Sequence, residues 1–246
     1  MDHLIYTAMN GAKQAMLRQA SNNHNLANIN TTGFRADFDV SISKQVYGPG
    51  NASRVYVENT RAGVDFTQGP MVATGRDMDV AIGGKGFLAI QGSDGTEAYT
   101  RAGDLRVSPS GFIETGAGHL VLGNGGPISL PPHQKLEIAK DGTISIQPLG
   151  QSTAALAVVD RLRLVAPDTA KLEKGQDGLL RLKEGETAEP DAEVQVTSGF
   201  LESSNVNPVT ALVNMIEISR QYEMHIKVLK AAEEADQSAA QILSMT

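Results

Sequence analysis

From Asn207 to Ser244 the chain reads NPVTALVNMIEISRQYEMHIKVLKAAEEADQSAAQILS, with a single proline at its second position and no glycine. Leu212, Met215, Tyr222, Ile226, Leu229, Ala240 and Leu243 fall on an unbroken three-four alternation whose other members are Ser219, Glu233 and Asp236. That spacing keeps one face of a helix apolar. Asn207 offers a capping side chain and Pro208 a backbone already set for a first turn, so the pattern predicts a helix beginning there. At about 1.5 Å per residue it would run roughly 55 Å. A compact domain made from the rest of the chain cannot cover so long a stripe, and each Leu or Ile left wet forgoes roughly 1.5 to 3 kcal/mol. Such a helix needs a helical partner.

The other end of the chain can supply one. The first 48 residues contain no proline, and Ile5, Met9, Ala12 and Met16 recur at spacings of four, three and four. Leu26 lies on the same register after Gln19 and Asn23 interrupt it. Residues 1–35 carry Lys13, Arg18 and Arg35 against Asp2, whereas 208–246 hold three basic and five acidic residues, so charge favours pairing of the two helices.

Between them the composition changes. All ten prolines lie between Pro49 and Pro208, and sixteen of the 25 glycines fall between Val64 and Gly150. Short runs such as DVAI (79–82), FLAI (87–90) and TISI (143–146) are separated by glycine-rich turns, the pattern of short strands. Asp94-Gly95 and Asp141-Gly142 predict hairpins. The polar stretch from Arg35 to Arg76 reads as an extended connector with at most brief strands. The expected fold is mixed α and β. A discontinuous, coiled-coil-like helical domain is formed by the N-terminal helix (1–35) and the C-terminal helix (204–246), with a connector (36–75) and a central all-β domain of short strands (76–203).

Composition excludes much chemistry. With 21 Lys and Arg against 28 Asp and Glu the 246-residue chain carries a net charge of −7, the wrong sign for nucleic acid or an anionic membrane. It has no cysteine, hence no disulfide, thiolate nucleophile or cysteine metal site. No run approaches the roughly 18 apolar residues of a membrane span, and the opening MDHLIYTAMNGAKQ lacks the features of a cleavable signal, so export would need another route. The five histidines show no metal-ligand spacing, and neither metal nor cofactor is expected. Asp77 and Asp79 could form a carboxylate pair, but Ala81 and Ile82 stand where a calcium loop needs an oxygen ligand and a glycine. Gly83, Gly84 and Gly86 lack the Lys-Ser or Lys-Thr of a phosphate cradle. With no nucleophile elbow, no tryptophan and 4% aromatic residues, the chain reads as a non-enzyme. The competing reading from another class is a secreted β-rich carbohydrate-binding protein or glycan hydrolase using Asp77 and Asp79.

The segment SNNHNLANINTTGFR (Ser21–Arg35) resembles the N-terminal signature of the bacterial flagellar axial proteins, the rod, hook and hook-associated subunits, with Asn25, Leu26, Ala27, Asn28, Thr32, Gly33 and Phe34 on its usual positions. RDMDVAIGGKGFLAI (Arg76–Ile90) and AYTRAGDLRVSPSGFIET (Ala98–Thr115) resemble the middle region of that family. Ser204–Gln237 resembles its C-terminal helix, including Asn205, Pro208, Met215, Arg220 and Tyr222. The opening residues, the length and the single middle domain are most similar to the proximal rod members, with distal rod and hook-type subunits as the alternative.

The resemblance implies a structural subunit of the basal-body rod spanning the periplasm. It would be exported by the flagellar type III apparatus without signal cleavage and would assemble with itself and with other rod subunits. Expected assembly residues are Ile5, Met9, Ala12, Met16, Asn25, Leu26, Asn28, Leu212, Met215, Tyr222, Ile226, Leu229 and Leu243. Thr32, Gly33 and Phe34 would form the motif turn, and Asn207 with Pro208 the helix cap. Phe34, Phe38 and Ile42 resemble a short aromatic-to-apolar export motif. No nucleic acid and no membrane insertion are expected.

Overall fold

The computed structural model describes residues 2–46, 54–149 and 156–244. The chain divides into a helical unit, Met1–Ile29 with Ala36–Asp65 and Val206–Thr246, and a β unit, Asn30–Arg35 with Phe66–Asn205.

In the helical unit, α1 spans Asp2–Ala27 and α2 spans Pro208–Ser244. Asn207 Oδ1 accepts from the backbone N–H groups of Val209 (3.0 Å) and Thr210 (3.2 Å), which satisfies donors that a helix start leaves orphaned. The Asn207–Pro208 start predicted from sequence is therefore the observed one. At its other end α1 closes eight residues before the expected boundary at 35. Asn28 donates its amide to His24 O (2.9 Å), and Asn30–Arg35 join the β unit. The helices run antiparallel: Asn22 Nδ2 donates to Ala211 O (2.8 Å), Arg18 Nη1 to Gln221 Oε1 (3.2 Å), and Gly11 lies against the His225 ring.

The connector expected over 36–75 is corrected. Asp37–Val46 (β1) and Arg54–Val64 (β2) form a long antiparallel hairpin, with Ile42 opposite Glu58, Lys44 opposite Tyr56 and Val46 opposite Arg54. Phe38, Val40 and Ile42 do alternate with polar residues, the period of a strand. Three apolar side chains among Asp, Ser, Lys and Gln make a weak signal, and the structure leaves all three exposed. Here the backbone ladder and amide side chains from α1, described below, carry the hairpin.

The β unit meets the expectation of short strands. Its largest sheet orders Leu172–Lys174, Leu180–Leu182, Glu97–Thr100, Phe87–Gln91, Leu120–Val121, Ile113–Thr115 and Leu105–Val107, with Leu164–Val165 also paired to Phe87–Gln91. A three-stranded sheet joins His133–Ile138, Thr143–Pro148 and Ala157–Arg161. Together they bury one core that includes Val80, Ile82, Leu88, Ile90, Leu105, Ile113, Ile144 and Ile146. The returning chain pairs with the departing one, Phe200 opposite Ala73 and Glu202 opposite Met71.

The predicted Asp-Gly hairpins both form, through a five-residue turn. Gly92 N donates to Thr96 O and Gly95 N to Gly92 O; Ala139, Gly142 and Thr143 repeat this arrangement. Only the fourth residue needs positive φ, +80° at Gly95 and +85° at Gly142. The preceding aspartate accepts from the threonine that follows, at 3.0 Å for Asp94 and 3.1 Å for Asp141. Bonds from Thr96 and Thr143 hold both carboxyls below the usual range.

Candidate functional site

α1 and α2 meet through small residues. The buried or half-buried positions of α1 include Ile5, Ala8, Ala12, Ala15, Gln19, Asn22 and Leu26, at spacings of three and four. Those of α2 include Ala211, Met215, Ile218, Tyr222, His225, Leu229 and Ala232, again at four and three. Half of the expected stripe is here: Ile5, Ala12 and Leu26 on α1, Met215, Tyr222 and Leu229 on α2. The alternate positions are displaced by one residue toward the N-terminus, Ala8 replacing Met9, Ala15 replacing Met16, Ala211 replacing Leu212 and Ile218 replacing Ser219.

Met9, Met16 and Leu212, expected among the assembly residues, lie outside this seam, being 54%, 60% and 49% exposed. Side-chain size explains the displacement, because alanine lets two backbones approach where methionine would hold them apart. Ile226 is half-buried beside the seam, and the Leu243 side chain lies outside the described residues. The missed signal was a period of small residues, Ala8 and Ala15 on either side of the expected Ala12, which a search for large apolar side chains passes over.

The His225 ring packs against Gly11. A Cβ added at Gly11 would stand 2.3 Å from His225 Cε1, so α1 carries glycine in mid-helix despite its poor helix propensity. Gly11→Val is expected to destabilise the helix pair by about 1–3 kcal/mol, as overpacking does. Hydrogen exchange of the α1 amides reads this loss, and adding His225→Ala should restore most of the protection.

The Asn-rich end of α1 holds the hairpin. Asn25 donates Nδ2 to Asp37 O (2.6 Å) and accepts from Asp37 N (2.8 Å), pairing with the backbone as a neighbouring strand would. Three to four turns earlier, Asn10 Oδ1 accepts from Val57 N and Gln14 Nε2 donates to Val57 O, both at 3.1 Å. Burial lifts the Asp39 carboxyl, and the Arg18 guanidinium partly offsets this. Phe38 and Ile42 of the expected export motif are exposed on this hairpin.

Thr32, Gly33 and Phe34 belong to the β unit. Gly33, at φ +67°, donates its N–H to Glu202 O (2.8 Å), and Phe34 is buried beneath Lys174 Nζ, 3.9 Å from the ring centroid. The next residue opens a buried ion triad. Arg35 Nη2 lies 2.8 Å from Glu202 Oε1 and Arg101 Nε 2.7 Å from Glu202 Oε2. Arg101 also donates to the carbonyls of Ile82 (2.8 Å), Gly84 (2.9 Å) and Gly86 (2.5 Å). The glycine loop is therefore a carbonyl cradle for a guanidinium, the opposite polarity to a phosphate cradle. Each triad member lies inside or beside a motif quoted above, yet only the fold shows that TTGFR, YTRAG and the residues before SSNV converge.

Asp77 and Asp79 do not form an open pair, since Asp77 is exposed in a turn while Asp79 is buried. No group of three or more metal-ligating side chains occurs among the described residues, and no described helix is long and apolar enough to cross a membrane.

An outward apolar surface remains. Of the 22 large hydrophobic residues that are exposed among the described residues, sixteen lie in the helical unit, among them Leu4, Met9, Met16, Leu17, Leu212 and Ile216. Such density on one unit marks an interaction surface. A groove of about 420 Å³ between Met16, Gln19 and Asn23 of α1 and Ile218 and Tyr222 of α2 is part of it.

Comparison with known proteins shows the family of the chain. Residues 197–242 match the family described as flagellar basal body rod FlgEFG protein C-terminal, and residues 81–146 match the flagellar hook protein FlgE/F/G D1 domain. The flagellar basal-body rod protein FlgF of Salmonella typhimurium is 40% identical over the whole of both chains. The chain belongs to the flagellar basal-body rod protein family. FlgF of Caulobacter vibrioides is 34% identical over 99% of this chain and 98% of its own. The rod protein FlgG of Bacillus subtilis is 30% identical over 94% of this chain and 95% of its own. In this rod family the D1 match falls within the β unit, and the C-terminal match runs from the strand Val196–Ser198 into α2.

Proposed function

We propose that this structural rod subunit sits in the proximal rod and joins its neighbours through the terminal helices, with α1 and α2 forming the coiled-coil-like part of each subunit. The likeness to FlgF proteins over the full chain supports the proximal position. The carrying observation is the uneven burial of the helical unit. Its inner seam carries alanine at Ala8, Ala12, Ala15, Ala211 and Ala232, while large apolar residues such as Leu4, Met9, Met16, Leu17, Leu212 and Ile216 are exposed.

A subunit that leaves this much apolar surface wet is completed by burying it against other subunits. Charge supports a heterologous contact. After Asp2, α1 has Lys13 and Arg18 and no acidic residue, whereas α2 carries five acidic residues against three basic. The outer face of α1 on one subunit then suits the outer face of α2 on the next, and repetition of one such contact yields an open helical filament.

Transit through the type III export apparatus in an unfolded state fits the lack of cysteine, since no crosslink can form on the way. Phe34, buried in the folded chain, is readable by an export receptor only before folding. The chain carries no catalytic role in this reading. The test places a photo-crosslinking residue at position 16 in cells dependent on that variant, followed by purification of hook-basal bodies. Crosslinks to α2 of rod subunits are expected, and absence of the protein from the particles overturns the reading.

A further inference from the structure

Asp79 and Asp104 face each other as an isolated antiparallel bridge just before the strand Val80–Ile82. Directly opposed side chains share one face, with Cβ atoms about 5 Å apart. Asp79 is 1% exposed, and its Oδ1 has no hydrogen-bond partner. Arg76 Nη1 stands 3.7 Å from that oxygen, beyond hydrogen-bond reach, on a side chain that is largely in solvent.

Asp104 is half-buried and has a place made for it. A Cβ on Gly116 would lie 1.9 Å from Asp104 Oδ2, so only glycine at 116 leaves room for the carboxyl. Arg106, the other cation acting on Asp104, is engaged by Glu114, Nε to Oε1 at 2.7 Å. Two carboxyls thus share a poorly solvated face with an acceptor that lacks a donor. Two carboxylates beside a guanidinium offer too few ligands for a metal ion, and a proton is the cation that fits.

We propose that Asp79 and Asp104 are a proton-binding pair: the β unit takes up a proton on the Asp104 carboxyl as it folds, supplying the donor that the buried face lacks. Burial lifts the Asp104 carboxyl above its ordinary range, and the charge of Asp79 adds to this, while a bond from its own backbone N–H and the charges of Arg106 and Arg76 pull the other way. A raised carboxyl means the folded state binds more protons than the unfolded one between the ordinary and the raised values. Stability therefore rises as pH falls through that window and is lost as pH rises through it. Asp94, Asp141 and Asp177, held low by bonds from Thr96, Thr143 and Arg181, work in the opposite sense, and their contribution is lost only at more acid pH.

Thermal melts of the full chain between about pH 4.5 and 7.5 test this, with carbon-13 NMR titration of the Asp104 carboxyl as a direct reading. Asp104→Asn should raise the melting temperature near pH 7.5 by roughly 2–4 °C and flatten the gain that the parent chain shows on acidification. The Asp104 carboxyl should titrate above the ordinary aspartate value of about 3.9, and Asp79→Asn should lower that midpoint. A midpoint at or below 3.9, or parallel melting profiles for Asp104→Asn and the parent, overturns the pair. So does a rise in melting temperature on adding calcium that Asp104→Asn abolishes, because a metal would then be the occupant.

Discussion

Replacing Glu202 with alanine is expected to lower the melting temperature of the β unit by about 10 °C, the largest single-residue effect on its stability. One carboxylate serves two buried guanidiniums, and its Oε1 also accepts from Gly69 N at 3.1 Å. Removing it leaves Arg35 and Arg101 as unpaired charges inside the protein, a change that costs about 3–5 kcal/mol. For a domain of this size each kcal/mol moves the melting point by about 2–4 °C. Arg101→Lys should lose a comparable share, since one ammonium cannot reproduce a fork that reaches Glu202 and three carbonyls. Melts followed by circular dichroism check both, and a Glu202→Ala protein that melts within 2 °C of the parent contradicts the account.

The second large effect appears in assembly and not in folding. Leu212→Asp should leave the isolated chain folded with an unchanged circular dichroism spectrum, because Leu212 is 49% exposed and a charge there costs nothing while wet. Once a neighbour covers it, an unpaired carboxylate costs several kcal/mol. Addition to the rod should weaken roughly 100-fold or more, at one decade per 1.4 kcal/mol. Loss of motility, and of the protein from purified basal bodies, is the expected result. Ala12→Asp offers the contrast: Ala12 is buried in the seam, so that variant should already be disturbed as a free chain. Normal motility in Leu212→Asp would remove the outward stripe from the interface.

The ends of the fold were more legible than its contacts. α2 could be placed to the residue because its cap is local, Asn207 followed by Pro208 with no glycine beyond. The short strands of the β unit were legible for a similar reason, each bounded by turn residues with one permitted geometry. The face of each helix was only half legible. Hydrophobic periodicity ranks Met16 above Ala15, whereas close packing of two backbones ranks them the other way, and the second rule holds at the seam. The hairpin escaped because its stability lies in backbone pairing and in Asn10, Gln14 and Asn25, amides that in a sequence read as turned toward water. The triad escaped because nothing in a sequence ties Arg35 to a glutamate near the opposite end.

That separation has a consequence in time. Glu202 follows Arg35 by 167 residues, and until it arrives the six-residue excursion Asn30–Arg35 has neither the carbonyl that receives Gly33 nor the carboxylate that receives Arg35. Closing so long a loop is slow, and a chain made from its N-terminus reaches the lock late. In a chain made from its N-terminus on the ribosome, that stretch thus stays unfastened through most of synthesis, and the arrival of one glutamate acts as the clock that ends the open phase.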